Sequence, residues 1–190
     1  MFEKLEAFDQ ELFLTLNGLH VDFLDPVFAF ITHKFSWIPL YIFLAYLLYR
    51  KYGVKGLLLS LAVIALMVLT TDQLTNFSKS YFGRYRPCKN LEIGSLVHLA
   101  TGYCGGWYSF FSGHSSNSFA VATCLGILLQ NRKWQWGLWI WAATVAYSRV
   151  YVGVHYPADI VVGSLVGLGL GFLFAKLYLV LQSRLIHKPA

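Results

Sequence analysis

Five long apolar runs without a charged side chain constrain what this chain can fold into. They cover residues 35–49, 56–71, 115–131, 134–148 and 160–175. Hydrophobic residues make up 57% of the 190 residues and charged residues only 13%, a balance typical of membrane-spanning proteins. The sequence therefore predicts an all-α integral membrane protein, folded as a helical bundle of one domain that covers residues 1–190.

The apolar runs are all shorter than the ~20 residues that a helix needs to cross a bilayer. Their ends must therefore include polar residues that are held against protein rather than lipid. The polar residues assigned to such ends are Asp72, Lys79, His114, Arg149 and Asp159. We interpret Asp72, seven residues before Lys79 on one helical face, as a helix-end residue. A direct role of Asp72 in a site is the alternative.

The N-terminal region, residues 1–34, differs from the apolar runs. Between residues 2 and 19, apolar residues recur at helical spacing and acidic residues occupy the rest of the wheel, which predicts an amphipathic interfacial helix. Residues 27–31 form a short inserted or surface helix. We expect five spanning helices, or six if the apolar region before Ser36 also crosses. The acidic start lacks a signal-peptide pattern, so the first span is expected to direct insertion.

Loop charges predict the orientation of the bundle. The net charge is +6, but the basic residues form no stripe that would indicate nucleic-acid binding. Three basic groups share one side of a five-span topology: Arg50, Lys51 and Lys55; Arg132 and Lys133; Lys176, Arg184 and Lys188. This side is expected to be cytoplasmic. The loop 79–112 and the turn 148–157 then face the periplasmic or outer side of the cytoplasmic (inner) membrane, although four basic residues of that loop break the charge rule.

The stretch SRVYVGVHYPAD, residues 148–159, contains the strongest indication of chemistry. Arg149 is a fixed cation, and His155 can change protonation state near neutral pH. Asp159 lies four residues beyond His155, within reach of the imidazole ring. Pro157 suits the first position of a helix, which places Asp159 in the first turn. We expect Asp159 to fix the tautomer of His155.

Two further clusters are expected on the same outer face. One contains Lys79, Arg86 and Pro87, and the other is Ser112-Gly113-His114 at the start of an apolar helix. Guanidinium groups bind phosphate oxygens in bidentate fashion, and a helix start offers free N–H groups to anions. Together with Arg149, the clusters predict an oxyanion pocket that contains two histidines.

Two histidines suffice for a double displacement at phosphorus. We expect His155 to attack as the nucleophile, and His114 to act as the general acid and then as the general base. No metal ion or other cofactor is expected, because three cations already balance the transferring phosphoryl group and no carboxylate cluster is available to hold magnesium.

These residues resemble the type 2 phosphatidic acid phosphatase family, whose pattern is K-x6-RP, then PSGH, then SR-x5-H-x3-D. The matching residues are Lys79, Arg86, Pro87, Ser112, Gly113, His114, Ser148, Arg149, His155 and Asp159. Phe111 stands where the family usually has proline, at a position that shapes the loop. The resemblance directly covers residues 79–159, the catalytic motifs.

The resemblance implies a metal-independent membrane lipid phosphatase with a phosphohistidine intermediate on His155. It assigns phosphate binding to Lys79, Arg86, Ser112, Gly113 and Arg149. Undecaprenyl diphosphate is the first choice of substrate by analogy, since a short protein with an outward-facing site suits recycling of a carrier lipid. Phosphatidylglycerophosphate, phosphatidic acid and lipid A phosphates stay open, as does a lipid phosphotransferase. A non-enzymatic anion-binding membrane protein is disfavoured, because an anion binder needs cations and not an oriented nucleophile.

The remaining polar and aromatic residues give weaker indications. Cys88 and Cys104 bracket the outer loop and are a candidate disulfide, with two free thiols as the alternative. Four histidines match no motif and are interpreted as surface or interfacial residues: His20, His33, His98 and His187. Six aromatic residues near the motifs fit either an apolar entrance for a lipid tail or packing of the loop: Tyr81, Phe82, Trp107, Tyr108, Phe110 and Phe111.

Overall fold

The computed structural model describes residues 2–186, with only the backbone at residue 2, so His187 and Lys188 lie outside it. Within this range the chain forms six α-helices, four short 3-10 helices and no strand, which confirms the all-α class. The α-helices are α1 (Phe2–Gly18), α2 (Asp25–Thr32), α3 (Ile38–Phe82), α4 (Gly113–Leu129), α5 (Arg132–Tyr151) and α6 (Pro157–Leu185). The 3-10 helices are Asp22–Leu24, Lys34–Trp37, Pro87–Lys89 and Gly94–Leu96.

Helix α3 consists of two arms that correspond to the first two apolar runs. Gly53, with φ 67° and ψ −173°, interrupts the helical conformation, a backbone geometry that glycine adopts readily. Beside this break, the Lys51 ammonium donates to the carbonyl oxygens of Leu128 and Leu129 at 3.0 and 2.8 Å. Lys51, beside the break, therefore caps the C-terminus of α4. This contact lies at the end of the bundle away from the catalytic motifs.

Two segments of the described chain are long and apolar enough to cross a membrane, Lys34–Phe82 and Pro157–Leu185. Helices α1 and α2, bent by 88° at the break between them, provide a third if the pair counts as one broken span. Large apolar side chains on the outer surfaces are exposed, as expected for helices that face lipid. Examples are Leu58, Leu69, Ile140, Leu165 and Phe172. The chain is an integral membrane protein, and its number of spans stays a prediction.

Close packing of α6 against α4 positions the two helix starts that carry catalytic motifs. Three glycines of α6, Gly163, Gly167 and Gly171, follow one another at four-residue spacing along one face. A methyl group at any of them would collide with a backbone carbonyl oxygen, either of α4 or of Ser112 just before it. Such a stripe of small residues lets two helix backbones approach closely. It brings the start of α6 beside Ser112, which precedes α4.

The apolar core lies among α3, α4, α5 and α6. Its largest fully buried side chains include Leu44, Leu48, Met67, Leu128 and Tyr178. Some tryptophans also pack between helices rather than along a membrane interface. The indole N–H of Trp37 donates to the Ile31 carbonyl at 2.9 Å, and that of Trp139 donates to the Thr123 hydroxyl at 3.1 Å.

The predicted helix end at Asp72 is wrong. Helix α3 continues for ten more residues and ends at Phe82, followed by Gly83 in a left-handed conformation with φ 59°. The second apolar run stops at residue 71, but packing sustains the helix beyond it. Thr75 lies against Gly113 of α4, and the buried Ser78 donates to the Phe110 carbonyl at 3.2 Å. Asp72 therefore lies inside the helix and Lys79 in its last turn.

The N-terminal helix α1 forms as predicted and has two distinct faces. The apolar residues Leu5 and Phe8 of α1 are exposed, as is Leu19 directly after the helix. This apolar surface suits contact with a membrane. The opposite face buries Asp9, Phe13 and Asn17 against the protein. The Asn17 amide donates to the carbonyls of Val150 and Tyr151 at 3.2 and 2.9 Å. Helix α1 is thus attached to the end of α5 that leads into the catalytic stretch.

The orientation predicts selective labelling of cysteines introduced at opposite ends of the bundle. Leu91, 99% exposed in the outer loop, is changed to cysteine, and the exposed Arg132 at the start of α5 is the matched control. We expect a membrane-impermeant maleimide to label Leu91→Cys in intact spheroplasts, because the loop charges predict that this loop faces outward. Arg132→Cys should react only after permeabilisation. The reverse pattern, measured by mass shift, would contradict the orientation.

Candidate active site

The start of α6 holds a buried histidine–carboxylate pair. His155 Nδ1 lies 3.2 Å from Asp159 Oδ2, and the two side chains are 2% and 0% exposed. The same carboxylate accepts from the backbone N–H of Tyr156 at 2.9 Å and from Arg84 at 3.1 Å. Helix α6 begins at Pro157 with Asp159 in its first turn, as the sequence predicts. Asp159 thereby fixes the orientation of the imidazole.

His155 is held in its neutral form. Burial, followed by the positive charges of Arg149, Arg86 and Lys79, lowers the pKa of His155 well below its usual value. A neutral imidazole that donates from Nδ1 to a carboxylate keeps a lone pair on its other nitrogen. The residue is therefore prepared to act as a nucleophile or base at neutral pH.

Three cations near the two histidines form no salt bridge within residues 2–186: Lys79, Arg86 and Arg149. Arg86 donates to the Cys104 carbonyl at 3.1 Å and Arg149 to the Thr32 hydroxyl. The Nε atom of each guanidinium is buried and has no partner in the described part of the chain. Burial lowers the pKa of Arg86. Buried like charges with unused donors are favoured beside an anion, which makes this cluster a candidate anion site.

The start of α4 completes the pocket. The Ser112 backbone N–H donates to the Asp159 carbonyl at 3.1 Å, and the Ser112 hydroxyl accepts from the Ser115 backbone at 3.4 Å. Ser112 therefore secures the helix start and links it to α6. In residues 2–186, the backbone N–H groups of Gly113 and His114 have no acceptor, so they can bind an anion. His114 lies within electrostatic range of Arg149, His155 and Lys79.

The structure thus brings together the eight residues that the sequence analysis assigned to catalysis and phosphate binding. They are Lys79 from α3, Arg86 from the outer loop, Ser112, Gly113 and His114 at the start of α4, Arg149 from α5, and His155 and Asp159 at the start of α6. Phe111, which replaces the usual proline, is buried beside this pocket.

The two outer-loop cysteines form a disulfide in the structure. The Cα atoms of Cys88 and Cys104 are 6.1 Å apart, a normal separation for a disulfide. Cys104 supplies the carbonyl that accepts from Arg86. The bridge therefore supports a buried cation of the pocket from outside it. Cys124 is a free, buried thiol in α4.

Arg84 and Asp9 complete the environment of Asp159, and the motifs do not include them. The Arg84 guanidinium lies between two carboxylates, 2.8 Å from Asp9 and 3.1 Å from Asp159. It also stacks over the Tyr156 ring at 3.9 Å. Asp9 accepts from the Ala158 backbone at 2.9 Å. One sequence signal was available, since Arg84 belongs to the loop whose positive charge breaks the orientation rule.

That excess of outer-loop charge now has a structural explanation. Lys79 and Arg86 lie within electrostatic range of His155, and Arg84 is paired with carboxylates. Lys89 lies over the Trp107 ring, 4.0 Å from its centroid. Each of the four cations therefore either contacts a local partner or lies near the two histidines. Their number consequently need not indicate a cytoplasmic loop.

His98 is not a simple surface residue. Its Nε2 atom lies 2.9 Å from an Asp25 carboxylate oxygen, and its ring stacks on His20 with centroids 3.6 Å apart. Asp25 also accepts from the Tyr151 hydroxyl at 3.0 Å. This cluster ties α2 and the outer loop to the end of α5. His33 is exposed, as expected.

The aromatic residues around the motifs divide into two groups. Tyr81, Phe82 and Trp107 are 73%, 60% and 64% exposed at the outer end of the bundle, whereas Phe111 is buried and packs the loop. A cavity of about 620 Å³ is lined at one end by Lys79 and His114 of the site and continues between α3, α4 and α5. Its size is in the range of small-molecule and cofactor sites.

The fold and the site together define the class of this protein. A buried neutral histidine, oriented by a carboxylate and near cations that form no salt bridge within residues 2–186, suits chemistry on a phosphate group. The surrounding helices are apolar on their outer surfaces. The class is that of integral membrane phosphatases.

Comparisons with known proteins agree with this class. Residues 56–182 match the model of the PAP2 superfamily, and the chain belongs to that superfamily. It is therefore an enzyme of the lipid phosphatase kind. It is 37% identical to the lipid A 4'-phosphatase of Porphyromonas gingivalis over 96% of this chain and 78% of that protein.

A second relative and a solved structure extend the comparison. The undecaprenyl-diphosphatase of Sulfolobus acidocaldarius is 30% identical over 92% of this chain and 81% of that protein. The crystal structure of a transmembrane PAP2-type phosphatidylglycerolphosphate phosphatase from Bacillus subtilis superposes with a TM-score of 0.73. That match covers 92% of this chain and 86% of the other at 22% identity, so it supports the fold.

The position of Arg84 predicts that α1 stabilises the site through Asp9. Changing Asp9 to asparagine removes the charge that Arg84 and the Ala158 N–H both use. We expect the free energy of unfolding to fall by about 1.5–3 kcal/mol, the usual contribution of hydrogen bonds to a charged group. Thermal unfolding in detergent measures the change.

Glu6 provides the matched control, because it is an exposed acid on the same helix. Glu6→Gln should alter stability by less than about 0.5 kcal/mol. Equal stability of Asp9→Asn and the unchanged protein would show that α1 is not held through this ion pair.

Proposed function

We propose that this protein removes a phosphate group from a membrane lipid by two successive displacements at phosphorus. The main observation that supports this proposal is the buried His155–Asp159 pair, which lies beside three cations without carboxylate partners in residues 2–186. Phosphate is the anion that fits: it accepts from guanidinium groups in bidentate fashion and from free N–H groups at a helix start.

In the first displacement, His155 is the nucleophile. The lone pair of its free ring nitrogen forms a nitrogen–phosphorus bond while the bond from phosphorus to the lipid oxygen breaks. His114, which carries a proton once the bound phosphate offsets the surrounding positive charge, donates that proton to the leaving oxygen, so the lipid leaves as an alcohol. Asp159 stabilises the positive charge that develops on the imidazole of His155. The product is a phosphohistidine.

In the second displacement, water replaces the histidine. His114, now neutral, takes a proton from the water as its oxygen bonds to phosphorus. The nitrogen–phosphorus bond breaks, and inorganic phosphate is released. Lys79, Arg86, Arg149 and the N–H groups at the start of α4 stabilise the equatorial oxygens in both steps. These donors supply the charge that a metal ion would otherwise provide, so the proposed mechanism needs no metal.

The proposed substrate is a lipid A-type phosphate ester. Support comes from the lipid A 4'-phosphatase relative, which is 37% identical over 96% of this chain. Undecaprenyl diphosphate, the first choice from the sequence, becomes the second candidate. It is supported by the undecaprenyl-diphosphatase relative at 30% identity over 92% of this chain.

The proposed topology follows from the loop charges. Residues 1–190 form one membrane-embedded domain with five spans, and α1 lies on the outer interface. The site then faces the periplasmic or outer side of the cytoplasmic membrane, where lipid headgroups of the outer leaflet can reach Lys79 and His114.

The proposed function predicts phosphate release by purified protein in detergent, from lipid A or from undecaprenyl diphosphate. We expect His155→Ala to reduce release to background and His114→Ala to reduce it by about 10²–10⁴-fold, the usual contribution of general acid–base catalysis. A phosphate assay, together with thermal unfolding to establish that the variants fold, measures both effects.

The exposed His33 supplies the control, and His33→Ala should keep full activity. Activity should also persist in EDTA. Substantial turnover by folded His155→Ala would refute the assigned nucleophile. Loss of activity in EDTA that magnesium restores would refute the metal-free mechanism.

A further inference from the structure

The cavity beside the catalytic pocket changes character along its length. Its outer end is lined by Lys79 and His114, and its inner end by apolar residues such as Leu61 and Leu125. Between the two ends lies a band of polar residues. They are Asp72, Thr75, Asn76, Asn117 and Ser118. A lipid whose phosphate occupies the catalytic pocket would place its nearest non-phosphate groups against this band.

Asp72 is the unexpected member of the band. It lies inside α3, seven residues before Lys79, which corresponds to two helical turns, or roughly 10 Å along the axis. A carboxylate within a membrane-spanning helix is costly, and it usually faces a pathway or a site. Asp72 forms no salt bridge within residues 2–186. Its position is therefore not explained by pairing with a cation.

Asn117 of α4 holds the Asp72 carboxylate in place. The Asn117 amide nitrogen donates to Asp72 Oδ1 at 2.7 Å. Because a carboxylate only accepts hydrogen bonds, this contact fixes which end of the amide faces Asp72. The Asn117 oxygen is buried and has no donor in the described part of the chain. The pair therefore presents the Asp72 carboxylate to the cavity, and the remaining lone pairs of that carboxylate require donors.

We infer that Asp72 and Asn117 form a headgroup subsite that binds a hydroxyl or amide N–H of the lipid, and that this subsite selects phosphorylated sugar lipids. The inference rests on the proposed function, since it needs a lipid phosphate in the adjacent pocket. A sugar unit that bears hydroxyl and N-acyl groups carries such donors close to its phosphate. The polar band binds them, and the apolar end of the cavity accepts part of an acyl chain.

A polyprenyl diphosphate cannot satisfy this subsite. Beyond its phosphates it has only hydrocarbon, which would cover Asp72 and Asn117 without providing a hydrogen bond. Covering a polar group in this way carries an energetic penalty. Asp72 and Asn117 should thus act in both directions, by favouring a sugar lipid and by disfavouring a polyprenyl chain.

Replacing Asp72 with leucine tests the subsite. The substrates are lipid A, which carries a 4'-phosphate on an N-acylated sugar, and undecaprenyl diphosphate, both measured as phosphate release in the same detergent. We expect Asp72→Leu to lower kcat/KM for lipid A by about ten- to a hundredfold, as lost hydrogen bonds to a charged group imply. The value for undecaprenyl diphosphate should stay constant or rise. Asp72→Asn, which keeps an acceptor oxygen, should lose less than about tenfold on lipid A.

Gln73 provides the matched control, because it is the exposed neighbour of Asp72 and does not line the cavity. Gln73→Leu should leave the ratio of the two kcat/KM values unchanged. That ratio is independent of the fraction of each variant that folds, since one sample supplies both values. An equal loss on both lipids with Asp72→Leu, or no loss on either, would overturn the inference.

Equilibrium binding separates this inference from the proposed function. In a His155→Ala background, where no turnover is expected, Asp72→Leu should weaken lipid A binding by the same factor and leave undecaprenyl diphosphate binding unchanged or tighter. Failure of the proposed function would appear as absence of turnover by the unaltered protein on both lipids. Failure of the subsite would appear as unchanged binding selectivity, whatever the turnover.

Discussion

The carboxylate of Asp159 is the interaction centre on which the rest of the site depends. It is fully buried and accepts hydrogen bonds from His155, Arg84 and the Tyr156 backbone N–H. The backbone carbonyl of Asp159 accepts a further hydrogen bond from the Ser112 N–H. These contacts join the start of α6 to the outer loop and to the start of α4. A buried carboxylate is stable only when it is paired and fully hydrogen-bonded, so its burial requires each of these elements to be in place.

Charge balance explains why the pocket is ready for an anion. Asp159 is already committed to Arg84 and His155, so it cannot neutralise Lys79, Arg86 and Arg149 as well. Burial and, after it, the surplus of positive charge lower the pKa of His155 and keep the imidazole neutral. The same surplus attracts the phosphate that His155 would attack. Stability of the site and its proposed chemistry therefore come from one arrangement, in which Arg84 and Asp9 hold the carboxylate so that the other cations stay available.

The sequence predicted much of the site, because the decisive contacts there are local or belong to recognisable patterns. The spacing of His155 and Asp159 and the helix start at Pro157 depend on a few neighbouring residues. The Arg84–Asp9 pair spans 75 positions, and periodicity carries no information about such a contact. The predicted helix end at Asp72 is wrong for a related reason. The apolar run stops at residue 71, but packing of Thr75 against α4 extends the helix. The role of the three glycines of α6 is likewise visible only in the structure, because they allow α4 to pack closely against α6.

Trapping the covalent intermediate tests the central claim most directly. Purified protein is mixed with lipid labelled in its phosphate group and denatured at alkaline pH during turnover, because phosphohistidine is stable there. Peptide mass spectrometry then locates the label. The account predicts phosphate on the peptide that contains His155, appearing within the first turnover and absent from protein that carries His155→Ala. Phosphate release with no labelled protein at any time would mean that water attacks phosphorus directly, and would contradict the account.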